Sequence, residues 1–260
     1  MEPQTPFFDL PARFLGILTK ESEDKMKKVW ICGDSILRGV VWSADRGRYV
    51  TTGELDWPAL EDKFHISISN KCRFGYTLEK GMGHLFSALE RGETCDIAML
   101  ELGGNDSDFC WAEISAAPKE EHLPQTVPLA YEKRYRRAIR ELREKGIFPV
   151  LCNVIPVCSG LYLDWVSRSG LSKENILEWL GDEDAIFRYQ AQYSAIVDKV
   201  AKEEGCPLID LRSAFLSAPR MEDCFSLDGI HPSTKGQQLI FDTLLGIPES
   251  LFAEKAGQSA

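Results

Sequence analysis

Ser35, Asp228 and His231 have the residue types and spacing that suit nucleophilic chemistry. A serine hydroxyl is a weak nucleophile until a neighbouring base takes its proton. His231 follows Asp228 by three residues, in a segment tightened by Gly229 and ended by Pro232. At that spacing the carboxylate can hold the imidazole Nδ1–H while Nε2 faces the serine. Gly75 and Asn105 add donors for a developing oxyanion. A glycine brings its backbone N–H close without a side chain in the way, and an asparagine amide supplies a second bond. The N–H of Ser35 itself is a third. The chemistry such a set supports is acyl transfer through a serine.

Each of these residues also has a plainer use. Ser35 precedes Ile36, Leu37, Val40 and Val41, so it is expected to open a helix, where serine is an ordinary N-cap. The run Gly103-Gly104-Asn105-Asp106 is an ordinary turn sequence. The remaining histidines, His65, His84 and His122, stand beside no comparable motif. What separates the chemical reading from the plain one is the joint order of four strings: Gly33-Asp34-Ser35, residues 70–75, residues 103–106 and residues 228–231. The first three follow apolar runs that read as strands.

Those runs define the elements that must position the site. Short apolar stretches at 29–32, 64–69, 96–102, 148–155 and 207–211 have the length and composition of buried strands. Between them, Leu78, Met82, Leu85, Phe86 and Leu89 recur at helical spacing. Tyr131, Tyr135, Ala138, Ile139 and Leu142 do the same, as do Ile186, Tyr189, Tyr193, Ile196, Val197 and Val200. A last helix is expected over 232–245. Alternating strands and helices predict an α/β fold, a mostly parallel, doubly wound sheet covered on both faces. In such sheets ligands bind beyond the carboxyl ends of the strands, which is where Ser35, Gly75 and Asn105 fall. Three connections, 41–62, 107–127 and 157–184, exceed a tight turn and suit binding loops or lids. Leu161, Tyr162 and Trp165 in the last are expected either to line a pocket or to pack the insertion down. Residues 1–27 read as an N-terminal arm packing on a single domain over 28–260.

Composition excludes several classes. A net charge of −10 and a pI near 5.0 repel phosphate backbones, so no nucleic-acid partner is expected. No apolar run approaches the roughly 20 residues of a membrane span. The first ten residues carry an acid rather than a basic segment, and Pro11 and Arg13 interrupt the apolar stretch, against a secretory signal. Eight scattered cysteines without a Cys-x-x-Cys pair suggest a reduced, cytoplasmic protein with no metal site.

The four strings resemble, in order and over about 200 residues, the four blocks of the SGNH/GDSL hydrolase superfamily. The match includes Ser35, Gly75, Asn105 and His231, and Asp228-Gly229-Ile230-His231-Pro232-Ser233 is its strongest block. The resemblance implies a three-layer α/β/α sandwich around a five-stranded parallel sheet of flavodoxin-like order. It implies Ser35 as nucleophile, His231 as base, Asp228 as its orienting acid, and an oxyanion hole from Ser35, Gly75 and Asn105. It also implies an acyl-enzyme and no metal or organic cofactor. Substrates of such a site include short-acyl esters, acetylated carbohydrates, lysophospholipids and thioesters. An acyltransferase using the same triad, or a non-catalytic ligand-binding relative, would carry the same strings. Two departures stand out: an isoleucine after Ser35, and Cys72 where the family commonly has glycine or alanine.

Overall fold

The computed structural model describes residues 26–168 and 170–253. The expected arm over 1–27 lies outside them apart from Met26 and Lys27, and Lys27 already belongs to the first strand. Five parallel strands form one sheet: β1 (Lys27–Gly33), β4 (Ile66–Asn70), β5 (Ile97–Glu101), β6 (Phe148–Cys152) and β7 (Leu208–Ile209). A separate antiparallel hairpin pairs β2 (Val40–Ser43) with β3 (Arg48–Thr51). The sheet order is β4-β1-β5-β6-β7, so connections leave β1 in opposite directions. That reversal makes a crevice beyond the β1 and β5 ends, the place where doubly wound sheets take ligands. The parallel, doubly wound architecture expected from the alternation is the one observed.

Side chains alternate across the strands and split the core in two. Trp30 and Cys32 of β1, with Ala98 and Leu100 of β5, face α2 (Leu78–Glu90), α4 (Pro128–Glu144) and α7 (Ala185–Glu204). Val29 and Ile31, with Ile97 and Met99, face α1 (Trp57–Phe64), α8 (Leu211–Leu216) and α9 (Thr234–Leu245). Period two in the strands and period 3.6 in the helices therefore produce the three layers. A third apolar cluster joins α3 (Trp111–Ala116), α5 (Ser159–Ser167) and α6 (Lys173–Leu180) around Trp111, Ile114, Leu163 and Ile176. These helices occupy two of the long connections, which are thus folded substructures rather than open loops.

The structure corrects four local expectations. Ser35 does not open a helix: residues 34–39 form a turn and the chain goes directly into β2. Gly39 closes that turn at φ +76°, and Val40 and Val41 then pair with Thr51 and Val50, so tertiary pairing overrides the helical spacing. Phe64 ends α1 instead of starting β4. The last strand stops after Ile209 because the Asp210 side chain accepts the Ser213 N–H and caps α8. The final helix starts at Thr234, capped by Ser233, rather than at Pro232.

One backbone position ties the β5 end to the core beneath it. Gly103 takes φ +146°, and a Cβ there would run into the Tyr131 hydroxyl and come within 2.7 Å of Val154 Cγ2. Tyr131 cannot yield, since it is fully buried and its hydroxyl donates to Leu102 O at 2.6 Å. Gly103→Ala is expected to lower stability by about 2–4 kcal/mol through strain and overpacking. Urea denaturation would show this, and a midpoint equal to wild type would reject the steric argument.

Candidate active site

The turn after β1 presents Ser35 beneath the crevice. Asp34 Oδ1 accepts the Ile36 N–H at 2.9 Å, and the Val40 N–H donates to Ser35 O at 3.0 Å. These bonds hold the turn without a helix, so the positive end of a helix dipole is not available to an anion here. Ser35 is 5% exposed, and its Oγ lies 2.9 Å from His231 Nε2. A separation of 196 residues in sequence closes to one hydrogen bond.

His231 is held by its own loop. Its Nδ1 lies 2.6 Å from Asp228 Oδ2, while Asp228 Oδ1 accepts the N–H groups of Ile230 (3.0 Å) and His231 (2.9 Å). Tyr49 of β3 adds its hydroxyl to Oδ2 at 2.6 Å. Asp228 is wholly buried. Burial opposes its charge, yet the bonds from His231, Tyr49 and the Ile230 N–H, with attraction to the imidazole, leave its pKa below the ordinary carboxylate value. Gly229 makes the loop tight: at φ +69°, a Cβ would lie 2.5 Å from Cys158 O and 2.6 Å from Tyr162 N. The loop is thereby pressed onto α5, and the Cys158 N–H donates to Gly229 O at 2.8 Å.

Asn105, on the turn after β5, donates through Nδ2 to Asp34 Oδ2 at 2.8 Å and to Tyr76 O at 3.1 Å. Both amide protons are thus engaged, and an oxyanion would have to draw one of them away. Gly75 lies in the turn after β4 with φ +72°. Phe74 beside it lines the cavity next to Ser35, with Asn105 and His231, while Gly75 itself is not in the lining. The structure therefore gathers Ser35, Asn105, Asp228 and His231 tightly, with Gly75 one residue behind the wall.

The cavity over Ser35 has a volume of about 210 Å³. Its walls include Phe109, Trp111 and Val157, drawn from the connections that the sequence marked as long, and Ile186 of α7. Of the three residues expected in a pocket from 157–184, Tyr162 lines it, whereas Leu161 and Trp165 do not. Leu161 packs on the α8–α9 side of the core, and Trp165 sits edge-on to Trp42 of β2 at 4.8 Å between ring centroids. The physical reason is α5: Tyr162 and Leu163 are on its buried face, and Leu161 and Trp165 lie to either side. Sequence reasoning missed Tyr49, Phe74, Phe109 and Trp111. Only Tyr49 had a local signal, because residues 40–43 and 48–51 flank a short polar turn in the pattern of a hairpin.

Two further carboxyls lie under the Ser35 turn. Burial pushes Asp34 up to about 6, against the opposing bonds from the Ile36 N–H and Asn105 and the attraction of His231. Burial, together with the neighbouring Asp34, pushes Glu101 well above its ordinary range. Glu101 is 1% exposed, and its Oε2 has no hydrogen-bond partner. That oxygen lies 3.1 Å from where a Gly33 Cβ would stand. Among the described residues no cluster of three or more His, Cys, Asp or Glu side chains is placed to hold a metal ion.

A parallel sheet of this order, with a serine and a histidine–carboxylate pair beyond its strand ends, is the arrangement of an SGNH-type α/β hydrolase. The sequence matches the GDSL-like Lipase/Acylhydrolase family over residues 31–239, and the chain belongs to that family. It is a GDSL-type hydrolase of ester bonds. It is 26% identical over 239 residues to the "Thioesterase 1/protease 1/lysophospholipase L1" of Escherichia coli K12, covering 90% of this chain and 88% of that protein. Among solved structures, it resembles the lipase/acylhydrolase from Enterococcus faecalis with a TM-score of 0.58 at 18% identity, over 90% of this chain and all of that one. It likewise resembles a catalytic mutant of Axe2, an acetylxylan esterase from Geobacillus stearothermophilus, with a TM-score of 0.56 at 18% identity, over 90% and 97% of the two chains. These structural likenesses define the fold.

The raised carboxyls have a consequence for stability. Asp34 and Glu101 hold their protons more tightly folded than unfolded, so the native state binds more protons than the unfolded one above about pH 4. Their contribution is therefore fully present at low pH and is lost as the pH rises through the folded values. Each pH unit in that window costs about 1.4 kcal/mol per group, or a few degrees of Tm for a chain of this size. Glu101→Gln, which cannot ionise, is expected to gain Tm over wild type as the pH is raised from 5 to 8. Parallel melting curves across that range would show that Glu101 is not protonated in the fold.

Proposed function

We propose that the protein is a serine-dependent hydrolase of carboxylic esters with short acyl groups. The observation that carries the reading is the unbroken chain from Ser35 Oγ to His231 Nε2 (2.9 Å) and from His231 Nδ1 to Asp228 Oδ2 (2.6 Å) at the floor of the cavity. In this mechanism Ser35 Oγ attacks the acyl carbonyl carbon and His231 Nε2 takes the hydroxyl proton. The buried Asp228 carboxylate stabilises the imidazolium. Negative charge on the carbonyl oxygen is met by the N–H groups of Ser35 and Gly75 and by the Asn105 amide, which exchanges one of its present acceptors for the oxyanion. His231 then returns the proton to the leaving alcohol, leaving the acyl group on Ser35. Water, deprotonated by the same nitrogen, attacks the acyl-enzyme and restores the serine.

The size and walls of the cavity support the acyl preference. Its roughly 210 Å³ lies below the range of about 300–1,000 Å³ typical of sites for larger ligands. Phe109, Trp111, Val157 and Ile186 offer an apolar surface to a hydrocarbon group. A cytoplasmic location is supported by the eight cysteines, all of them free thiols and six of them buried. No helix among the described residues is long and apolar enough to cross a membrane.

A fluorophosphonate probe is expected to label Ser35 stoichiometrically, and Ser35→Ala is expected to abolish labelling and lower kcat by several orders of magnitude with the fold intact. Mapping of the label to another serine would overturn the mechanism.

On p-nitrophenyl esters of graded chain length, kcat/KM should peak at acyl chains of about two to six carbons, because each methylene that fails to fit forfeits about 1–3 kcal/mol. Ile186→Ala, which deepens the cavity, should raise the octanoyl-to-acetyl ratio several-fold. An optimum at dodecanoyl in the wild type would reject the short-acyl assignment.

A further inference from the structure

The loop that carries Asp228 and His231 is fastened from outside by the β2–β3 hairpin. The Trp42 N–H donates to Ser226 Oγ at 3.2 Å, and Ser226 Oγ in turn donates to Pro232 O at 3.0 Å. Tyr49 reaches further in. Its hydroxyl lies 2.6 Å from Asp228 Oδ2, the same oxygen that accepts from His231 Nδ1. Its ring lies 4.6 Å from the His231 ring, tilted by 50°, while Phe74 stands nearly parallel to the imidazole at 5.5 Å and 11°. Trp42 buttresses Tyr49 edge-on at 5.0 Å.

We infer that Tyr49 is a positioning residue for the His231–Asp228 pair: its phenol holds Asp228 Oδ2 against His231 Nδ1, and its ring limits the imidazole to one orientation. The inference rests on the reading of His231 as the base acting on Ser35. Asp228 is wholly buried, so no bulk water can replace a donor lost from Oδ2. Half-buried beside that carboxylate, the phenol is pushed up, stays protonated and acts here only as a donor. With Tyr49 in place, the charge on Oδ2 is shared between two donors. Without it, that oxygen faces His231 alone, binds the imidazolium more strongly, and raises the pH at which His231 loses its proton. Other titratable groups near the pair are Asp34, which acts on His231 from the β1 turn, and Tyr162, which faces Asp228 from α5. Neither donates to Asp228 Oδ2. Tyr49 therefore fixes the geometry of the pair and takes a share of the charge on Asp228 Oδ2.

The test compares wild type with Tyr49→Phe, which keeps the ring and removes the donor, and with Trp42→Leu, which loosens the hairpin without touching Asp228. NMR titration of the His231 imidazole is the primary measurement, read beside kcat, KM and the rate of fluorophosphonate labelling. For Tyr49→Phe the His231 midpoint is expected to rise by about half a pH unit, with the acid limb of kcat/KM moving with it. At neutral pH kcat should fall roughly ten-fold with KM unchanged. Trp42→Leu, which removes the ring beside Tyr49 but leaves its hydroxyl, should lower Tm and shift the His231 midpoint less than Tyr49→Phe does. An unchanged midpoint in Tyr49→Phe would overturn the inference, as would an equal shift in Trp42→Leu, which would reduce the hairpin to packing. Absence of labelling at wild-type Ser35 would reject the hydrolase mechanism separately, and the imidazole titration would still decide the role of Tyr49.

Discussion

A carboxylate with no access to water is the constraint from which the rest of this site follows. Taking Asp228 out of solvent is costly unless its oxygens are satisfied by well-placed donors. The fold supplies four: the His231 imidazole, the Tyr49 hydroxyl and the N–H groups of Ile230 and His231. Two of these come from the residues immediately after it, which requires the tight turn at Gly229. One comes from the hairpin, which requires β2 and β3 to be packed over the loop. The imidazole orientation is then a by-product of satisfying the charge.

The sheet contributes position more than chemistry. β1 and β5 are neighbours in register, with Gly33 opposite Glu101, so the turns that follow them emerge side by side. Ser35 and Asn105 are carried on those turns and are linked through Asp34. The insertions α3, α5 and α6 pack among themselves above this edge, and Phe109, Trp111 of α3 and Tyr162 of α5 give the cavity an aromatic wall. The apolar content of the long connections thus serves both purposes that their sequence allowed. Tyr162 takes part in each, since it lines the cavity and its hydroxyl donates to Asp108 Oδ1 at 2.7 Å.

How much of this was legible beforehand follows from which contacts are local. The strands at 29–32 and 96–102 and the helices around Leu85, Tyr135 and Val197 show their buried faces as regular periods. The Asp228–His231 pairing spans three residues, so its geometry is also written locally. The turn at Ser35 misleads because its apolar spacing fits a helix, while the decisive partners, Val50 and Thr51, lie in a separate strand. The hairpin that carries Tyr49 has a local pattern, but the role of its hydroxyl does not, because its partner is 179 residues away. Leu161 and Tyr162 are indistinguishable by composition, and only the rotation of α5 assigns one to the cavity and the other to the core.

Ser35 and His231 stand 196 positions apart in the chain. The Ser35 turn, its sheet neighbours and most of the cavity walls precede the Asp228–His231 loop, while Ile230 and His231, which also line the cavity, and α9 follow later in the chain. Contacts of such long sequence separation form late, after the entropy of closing the intervening chain has been met. The hydrogen bond between the Ser35 hydroxyl and His231 therefore depends on closing a contact of long sequence separation, and no local segment of the chain can form it alone.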